Sequence, residues 1–458
     1  MRRRFADVMD AWLARSDRRP LVLRGARQVG KTWLVRDLAA RSGRRLVDLN
    51  LEQDPSWARA FDTNEVRAFL SDLSLRLGHR VDAGTCMLFL DEIQAVPSLL
   101  AKLRWLYEDA PDLPVVAAGS LLEFVLGDHA MSMPVGRVRF ENVEPVSFEE
   151  YLGAHGQDEL AERMVRWRAG AAWSAIAHEQ ATRWFERYAM IGGMPSVVDA
   201  DVHGASPREC RRLQADLVAT YRADFAKYRG RLDRTVLDAV LQSVARSVGE
   251  KFVYARVGDG VKQPSARLAL ERLAEARICH IAPHSAANGL PLGAEANPRH
   301  RKVSLVDVGL LHALLGTPAD DSFPPSHHLS AAMRGQLADQ LVAQQLRLTQ
   351  PSFGGGPELH HWRRGGGRPG EIDFIVPLQG RVVPIEVKAG AAGAMKSLHR
   401  FVHAKGLHFA VRCDANPPSV QRIQVKTTEG NPVAYDLLSV PLYLVWNLDS
   451  IVRDLIRG

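Results

Sequence analysis

The stretch Arg24-Gly25-Ala26-Arg27-Gln28-Val29-Gly30-Lys31-Thr32 decides how the chain is read. An apolar run, Leu21–Leu23, precedes it, and Thr32–Arg41 behind it has helical spacing. A strand that turns through glycines into a helix is the context this pattern needs. The glycines let the backbone turn tightly, so that the N–H groups of Gly25, Ala26, Arg27, Gln28, Val29 and Gly30 face one point. The helix that follows adds its positive N-terminal end. Such a cradle accepts phosphate. In it Lys31 reaches the terminal phosphates as a point charge, and the Thr32 hydroxyl is a ligand for Mg²⁺. The nine residues therefore read as a P-loop.

Working outward, Leu46–Leu49, Met87–Leu90 and Val115–Ala118 are short apolar runs, expected as buried strands. Thr32–Arg41, Ser56–Leu77 and Ser98–Ala110 lie between them with helical spacing. Strands alternating with helices predict an α/β layer on a parallel sheet. The run Cys86-Met87-Leu88-Phe89-Leu90 ends in Asp91-Glu92, so a buried strand delivers two carboxylates at its C-terminal edge. Ligands bind at that edge in open α/β sheets. Asp91 is the expected support of the metal, and Glu92 the expected orienter of the attacking water. Two further catalytic candidates follow. Ser120 ends the strand Val115–Ala118 near a γ-phosphate, but reads equally as a polar strand end. Arg137, in Pro134-Val135-Gly136-Arg137, is placed to stabilise a transferring phosphoryl group, but reads equally as a surface arginine.

Composition bounds the rest. A length of 458 residues is too great for one core. Hydrophobic residues at 46% and charged residues at 24% are ordinary for a globular protein. A net charge of +7 and a pI of about 9.3 admit a polyanionic partner without requiring one. Cys86, Cys210, Cys279 and Cys413 form no C-x-x-C pair, which argues against a disulfide or zinc framework and fits a reducing cytoplasm. No apolar leader region and no run of about eighteen apolar residues is present, so neither secretion nor a membrane span is expected.

Beyond Phe148 the pattern turns mostly helical, through Glu179–Met190, Arg208–Tyr228 and Leu232–Val248. A helix over Pro264–Arg277, carrying Arg267, Arg272 and Arg277, precedes strand-like Ile278–Ala282 and Lys302–Val306. Helix followed by β-wing suggests a winged helix whose arginines touch DNA phosphates; solvated arginines on a packed helix are the competing reading. Asp307-Val308-Gly309-Leu310 reads as a structural turn, and Gly316–Ser330 as a linker.

A third segment opens with a helix over Ala331–Leu348. Loops are expected at Ser352–Gly356 and Gly365–Gly367, a hairpin from Ile372–Pro377 and Val382–Val387, a helix near Met395–Ala404 and a strand at Leu407–Val411. Alternation places Glu386 and Lys388 on one strand face, and the hairpin turn brings Asp373 beside them. Asp339 on the preceding helix is a fourth candidate. Carboxylates with a lysine on a sheet are what metal-assisted phosphodiester cleavage uses, with Mg²⁺ or Mn²⁺ as a second metal. The basic loop Arg363-Arg364-Gly365-Gly366-Gly367-Arg368 lies close by in sequence.

Taken together, Gly25–Thr32, Leu88–Gln94, Gly119–Leu121, Pro134–Arg137, Gly192-Gly193-Met194-Pro195, Asp307–Leu310, Gly335–Leu346 and Ile385–Lys388 resemble a family of prokaryotic AAA+-like ATPases with a C-terminal domain of unknown function. The resemblance implies an AAA+-like P-loop domain over 1–147, a helical and winged-helix-like region over 148–328, and a domain resembling PD-(D/E)xK nucleases over 329–458. It departs at Asp339, where the family usually has the longer Glu. Three functional expectations follow: an Mg²⁺-dependent ATPase coupled to DNA or a partner protein, an ATP-regulated metallonuclease, and a nucleotide-switched binding module whose nuclease-like domain does not cut. ATP is the expected ligand in all three, and a homo-oligomer is compatible with each.

Overall fold

The structure is a computed structural model describing residues 2–123, 136–228, 232–319, 330–349, 358–365, 370–390 and 393–457. Pro134, Val135, the loop at Ser352–Gly356, Gly366, Gly367, Arg368 and most of the expected linker lie outside the described residues. Two compact units are present. The first runs to Pro145 and also takes in Glu275–Arg277; the second takes in the other described residues.

The first unit is α/β. Helix α1 (Arg4–Leu13) precedes β1 (Leu21–Arg24), α2 (Lys31–Ser42), β2 (Arg45–Asn50), α3 (Val66–Leu77), β3 (Cys86–Asp91), α4 (Ser98–Asp109), β4 (Val115–Ala118) and β5 (Arg139–Asn142). The strands form one five-stranded sheet in the order β2-β3-β4-β1-β5, and every pairing is parallel. Both faces are covered, which is why β3 and β4 are buried at every position and read as continuous apolar runs. Leu88, Leu90, Leu99, Leu103 and Ala117 share one core with Phe61 and Phe69.

The four expected strands are in place, while β5 and α1 had no distinctive pattern. The expected helix Ser56–Leu77 is two pieces, a 3₁₀ segment Pro55–Phe61 and α3. Asp62-Thr63-Asn64 separates them, and Thr63 Oγ1 accepts from the Glu65 N–H, the local side-chain bonding that competes with a continuing helix.

The second unit contains α5 (Phe148–Ala154), α6 (Asp158–Arg166), α7 (Ala175–Ile191), α8 (Pro195–Val202), α9 (Pro207–Asp224), α10 (Arg234–Arg246) and α11 (Gln263–Glu275). Strands β6 (Cys279–Ser285) and β7 (Ala296–Leu305), α12 (Val308–Leu315) and α13 (Ala331–Thr349) follow. After them come β8 (His360–Arg363), β9 (Glu371–Leu378), β10 (Arg381–Val387), α14 (Lys396–Lys405), β11 (Phe409–Asp414), β12 (Ser419–Lys426), β13 (Pro432–Pro441) and α15 (Leu448–Arg457). The eight strands make one mixed sheet ordered β12-β13-β11-β10-β9-β8-β6-β7. The helix α11 and the antiparallel pair β6–β7 match the expected helix and hairpin, but β6 also pairs with β8 through His284 and His361, so the hairpin is part of the larger sheet.

Buried polar groups at the end of β7 organise this unit. Asp307 is fully buried and caps α12, so the expected turn is a helix start. Its carboxylate accepts from the N–H groups of Gly193 (2.6 Å) and Gly309 (2.8 Å) and from Gln344 Nε2 (2.8 Å). A Cβ on Gly192 would meet Asp307 Oδ1 at 2.2 Å, which explains glycine there. One turn back on α13, Gln340 accepts from the Leu305 N–H (2.9 Å) and donates to the Leu305 carbonyl (2.8 Å), completing the strand end with a side-chain amide.

Replacing Asp307 by Ala is expected to strand these donors and cost on the order of 3 kcal/mol of stability. Thermal and urea unfolding of the full chain measure it. A variant that melts with the parent would refute the organising role of Asp307.

Candidate functional site

At the C-terminal edge of the first sheet, β1, β3 and β4 end side by side: Leu23 lies opposite Ala118, and Leu90 opposite Ala117. Gly25–Thr32, Asp91-Glu92 and Gly119-Ser120 therefore share one rim. Gly25 has a φ of 146°, and a Cβ there would meet the Val143 carbonyl at 2.4 Å. Gln28 (φ 65°) and Gly30 (φ 96°) complete the left-handed turns that carry the chain into α2. From behind, the buried guanidinium of Arg3 donates to the Val29 carbonyl (3.2 Å) and the Glu144 carbonyl (2.7 Å).

Lys31 is buried and donates to the carbonyls of Gly25 and Ala26, both at 2.9 Å. Burial pulls its ammonium down to about 8, against the opposing pull of Glu92 and Asp91. Thr32 Oγ1 donates to Asp91 Oδ2 at 3.0 Å, so the two oxygens expected at one metal are adjacent. Burial, then the neighbouring Glu92, pushes the Asp91 carboxyl upward. Glu92 sits in the left-handed region at φ 51°, a strained backbone for a residue with a side chain. Its Oε2 accepts from Gln94 Nε2 (2.5 Å), and from the N–H and hydroxyl of Ser120, each at 3.4 Å. Arg137 is ion-paired with Glu108 at the end of α4, and is 40% exposed.

In the second unit the four C-terminal candidates gather where β9, β10 and α13 meet. Asp373 Oδ2 accepts from the Val387 N–H at 2.9 Å, and Lys388 Nζ lies 2.6 Å from Glu386 Oε1. Burial and then Asp373 push Asp339 up to about 8; the same two causes push Glu386 up to about 7. A fifth member comes from β7. Lys302 Nζ is buried, 2.6 Å from Glu371 Oε1 and 3.1 Å from Asp373 Oδ1. Burial alone would lower its ammonium, but Asp373, Glu371 and Asp339 outweigh burial and raise it. Among the described residues, no group of three His, Cys, Asp or Glu is arranged to hold a metal ion.

Comparisons with known proteins bear on the first site. Residues 17–152 match the family described as an AAA domain. The first unit carries an AAA-like P-loop ATPase domain. Residues 182–321 and 334–439 match two families described as domains of unknown function, DUF8612 and DUF4143. Two uncharacterized proteins, from Mycobacterium bovis and Mycobacterium tuberculosis, are each 24% identical over 377 residues, which is 81% of this chain and 70% of theirs. Among solved structures, the Aeropyrum pernix ORC2 protein is similar at a TM-score of 0.31 and 12% identity, over 68% of this chain and 91% of that one. The PCH-2 protein of C. elegans is similar at a TM-score of 0.27 and 12% identity, over 42% of this chain and 59% of that one. Among the described residues no helix is long and apolar enough to cross a membrane.

Two residues have a part at the AAA domain that their sequence context did not give them. Gly119 is one: a Cβ there would strike Gln94 Oε1 at 2.0 Å, so its small size makes room for the amide that holds Glu92. Arg277 is another. It ends the expected helix Pro264–Arg277, whose arginines read either as DNA-facing or as solvated; it lies past the end of α11, belongs to the first unit and pairs with Glu123 at 3.1 Å, beside the Arg24–Glu123 pair at 3.4 Å. Arg267 pairs along its own helix with Glu271 at 3.0 Å. The free cysteines are all buried.

The raised Asp339 and Glu386 carboxyls retain protons that the unfolded chain has released above about pH 4. The folded form therefore binds more protons, and its stability falls as pH rises from that point through about 7 and 8. Asp339→Asn is expected to flatten the decline in melting temperature between weakly acidic and weakly alkaline buffer. An unchanged slope would show that Asp339 is not the source.

Proposed function

We propose that the chain is an Mg²⁺-dependent ATPase in which Lys31 and Thr32 grip the phosphates, Asp91 supports the metal through Thr32 and water, and Glu92 orients the attacking water. The observation that carries this reading is the Thr32–Asp91 contact at the mouth of the glycine turns. It sets two hard oxygen donors beside an ammonium held on the loop's own carbonyls. That donor set fits magnesium, which prefers oxygen ligands and shared phosphates. When bound, the ion neutralises phosphate charge. Lys31 turns from the Gly25 and Ala26 carbonyls toward the β- and γ-oxygens, and the loop N–H groups hold the chain of phosphates in place. Glu92 accepts a hydrogen bond from water, with Gln94 and Ser120 fixing its carboxylate at rest. Arg137, paired with Glu108, is given no phosphate contact in this reading.

The second unit is the part proposed to respond to the nucleotide, through DNA or a protein. Its ion-paired carboxylate cluster favours binding over cutting.

Lys31→Ala is expected to abolish nucleotide binding, measured calorimetrically with Mg·ATP. Glu92→Gln should keep binding and lose roughly 100-fold or more in turnover, as removal of a positioned base does. Parental hydrolysis by Glu92→Gln would remove the role given to that carboxylate. Hydrolysis assayed with and without double-stranded DNA decides between a nucleic-acid and a protein partner.

A further inference from the structure

The resemblance to metal-dependent nucleases implies a divalent cation among Asp339, Asp373 and Glu386, and the residues present do not fit one as they stand. Asp373 has both oxygens engaged, Oδ1 with Lys302 at 3.1 Å and Oδ2 with the Val387 N–H at 2.9 Å. Glu386 Oε1 is taken by Lys388 at 2.6 Å. Two other oxygens, Asp339 Oδ1 and Glu386 Oε2, are shut off from water without a hydrogen-bond partner. The cluster thus has acceptors to spare, yet its positive charge is already supplied by side chains.

We propose that Lys302 is the resident cation of this cluster, occupying the role of a divalent metal and keeping Mg²⁺ and Mn²⁺ out of the native chain. Three observations converge on it. The Lys302 side chain is only 5% exposed, so its charge is satisfied inside the protein and nowhere else. It touches two carboxylates of β9, Glu371 and Asp373, at ion-pair distance. It also lies on β7, which is outside the segment 334–439 that supplies all four acids. An ammonium brings one charge and three donors in fixed directions, whereas a divalent ion draws several oxygens to one centre. An ion entering here would have to displace the buried Lys302 and would still meet the repulsion of Lys388, which stays in place. The two orphaned oxygens mark where ligands would become available once the lysine is gone.

The test is Mn²⁺ binding by the full chain without nucleotide, read from the free-ion paramagnetic signal. The native chain is expected to take up no Mn²⁺ that depends on Asp373, so Asp373→Asn should leave its uptake unchanged. Lys302→Met should acquire an Mn²⁺ site tighter by roughly tenfold or more, the factor that about 1.4 kcal/mol carries. That gain should vanish in the Lys302→Met, Asp373→Asn double variant. Uptake by the native chain that falls on Asp373→Asn overturns the proposal, as does a folded Lys302→Met variant that gains no ion. If Lys302→Met fails to fold, Lys302→Gln repeats the measurement with a polar group of similar length. The native comparison with Asp373→Asn stands without either. None of these readouts depends on ATP hydrolysis.

Discussion

A charge removed from water must meet its counter-charge or its hydrogen-bond donors inside the protein, and both units are arranged around that requirement. In the first, Lys31, Asp91 and Glu92 converge at one sheet rim, where burial opposes the charges of Lys31 and Asp91. In the second, Asp307 ties Gly193, Gly309 and Gln344 together, while Lys302 answers Glu371 and Asp373. The apolar cores supply most of the folding free energy. The buried polar groups decide which segments lie against one another.

The two clusters meet the requirement differently. In the AAA site the Lys31 ammonium is hydrogen-bonded to neutral carbonyls and not to a carboxylate, which leaves it available to an anion. The C-terminal cluster already holds two lysines, Lys302 and Lys388, among its acids, and so is closer to an ion-pair network than to a vacant site. Strained backbone is the further mark of the first site, where Glu92 sits at φ 51°.

Local order explains what could be read early. The parallel strands are continuous apolar runs because both faces are buried, and the glycine turns are imposed by backbone geometry within a few residues. Expectation failed where polar residues broke a helix, as at Asp62-Thr63-Asn64, and where a strand such as Arg139–Asn142 had too few apolar positions to stand out. It also failed at Asp307, whose helix cap resembles a turn until Gly193 and Gln344 are seen against it.

The order of residues alone determined the P-loop, the acid pair at the end of β3 and the α/β character of the first unit, since each rests on neighbours within one strand and one turn. Only the tertiary structure brought Lys302 to Asp373, Arg3 to the Val29 carbonyl and Arg277 to Glu123. Those partners are separated by 71, 26 and 154 positions. No periodicity of side chains encodes such meetings. They follow from how strands pair and how buried charges find one another once the chain has closed on itself.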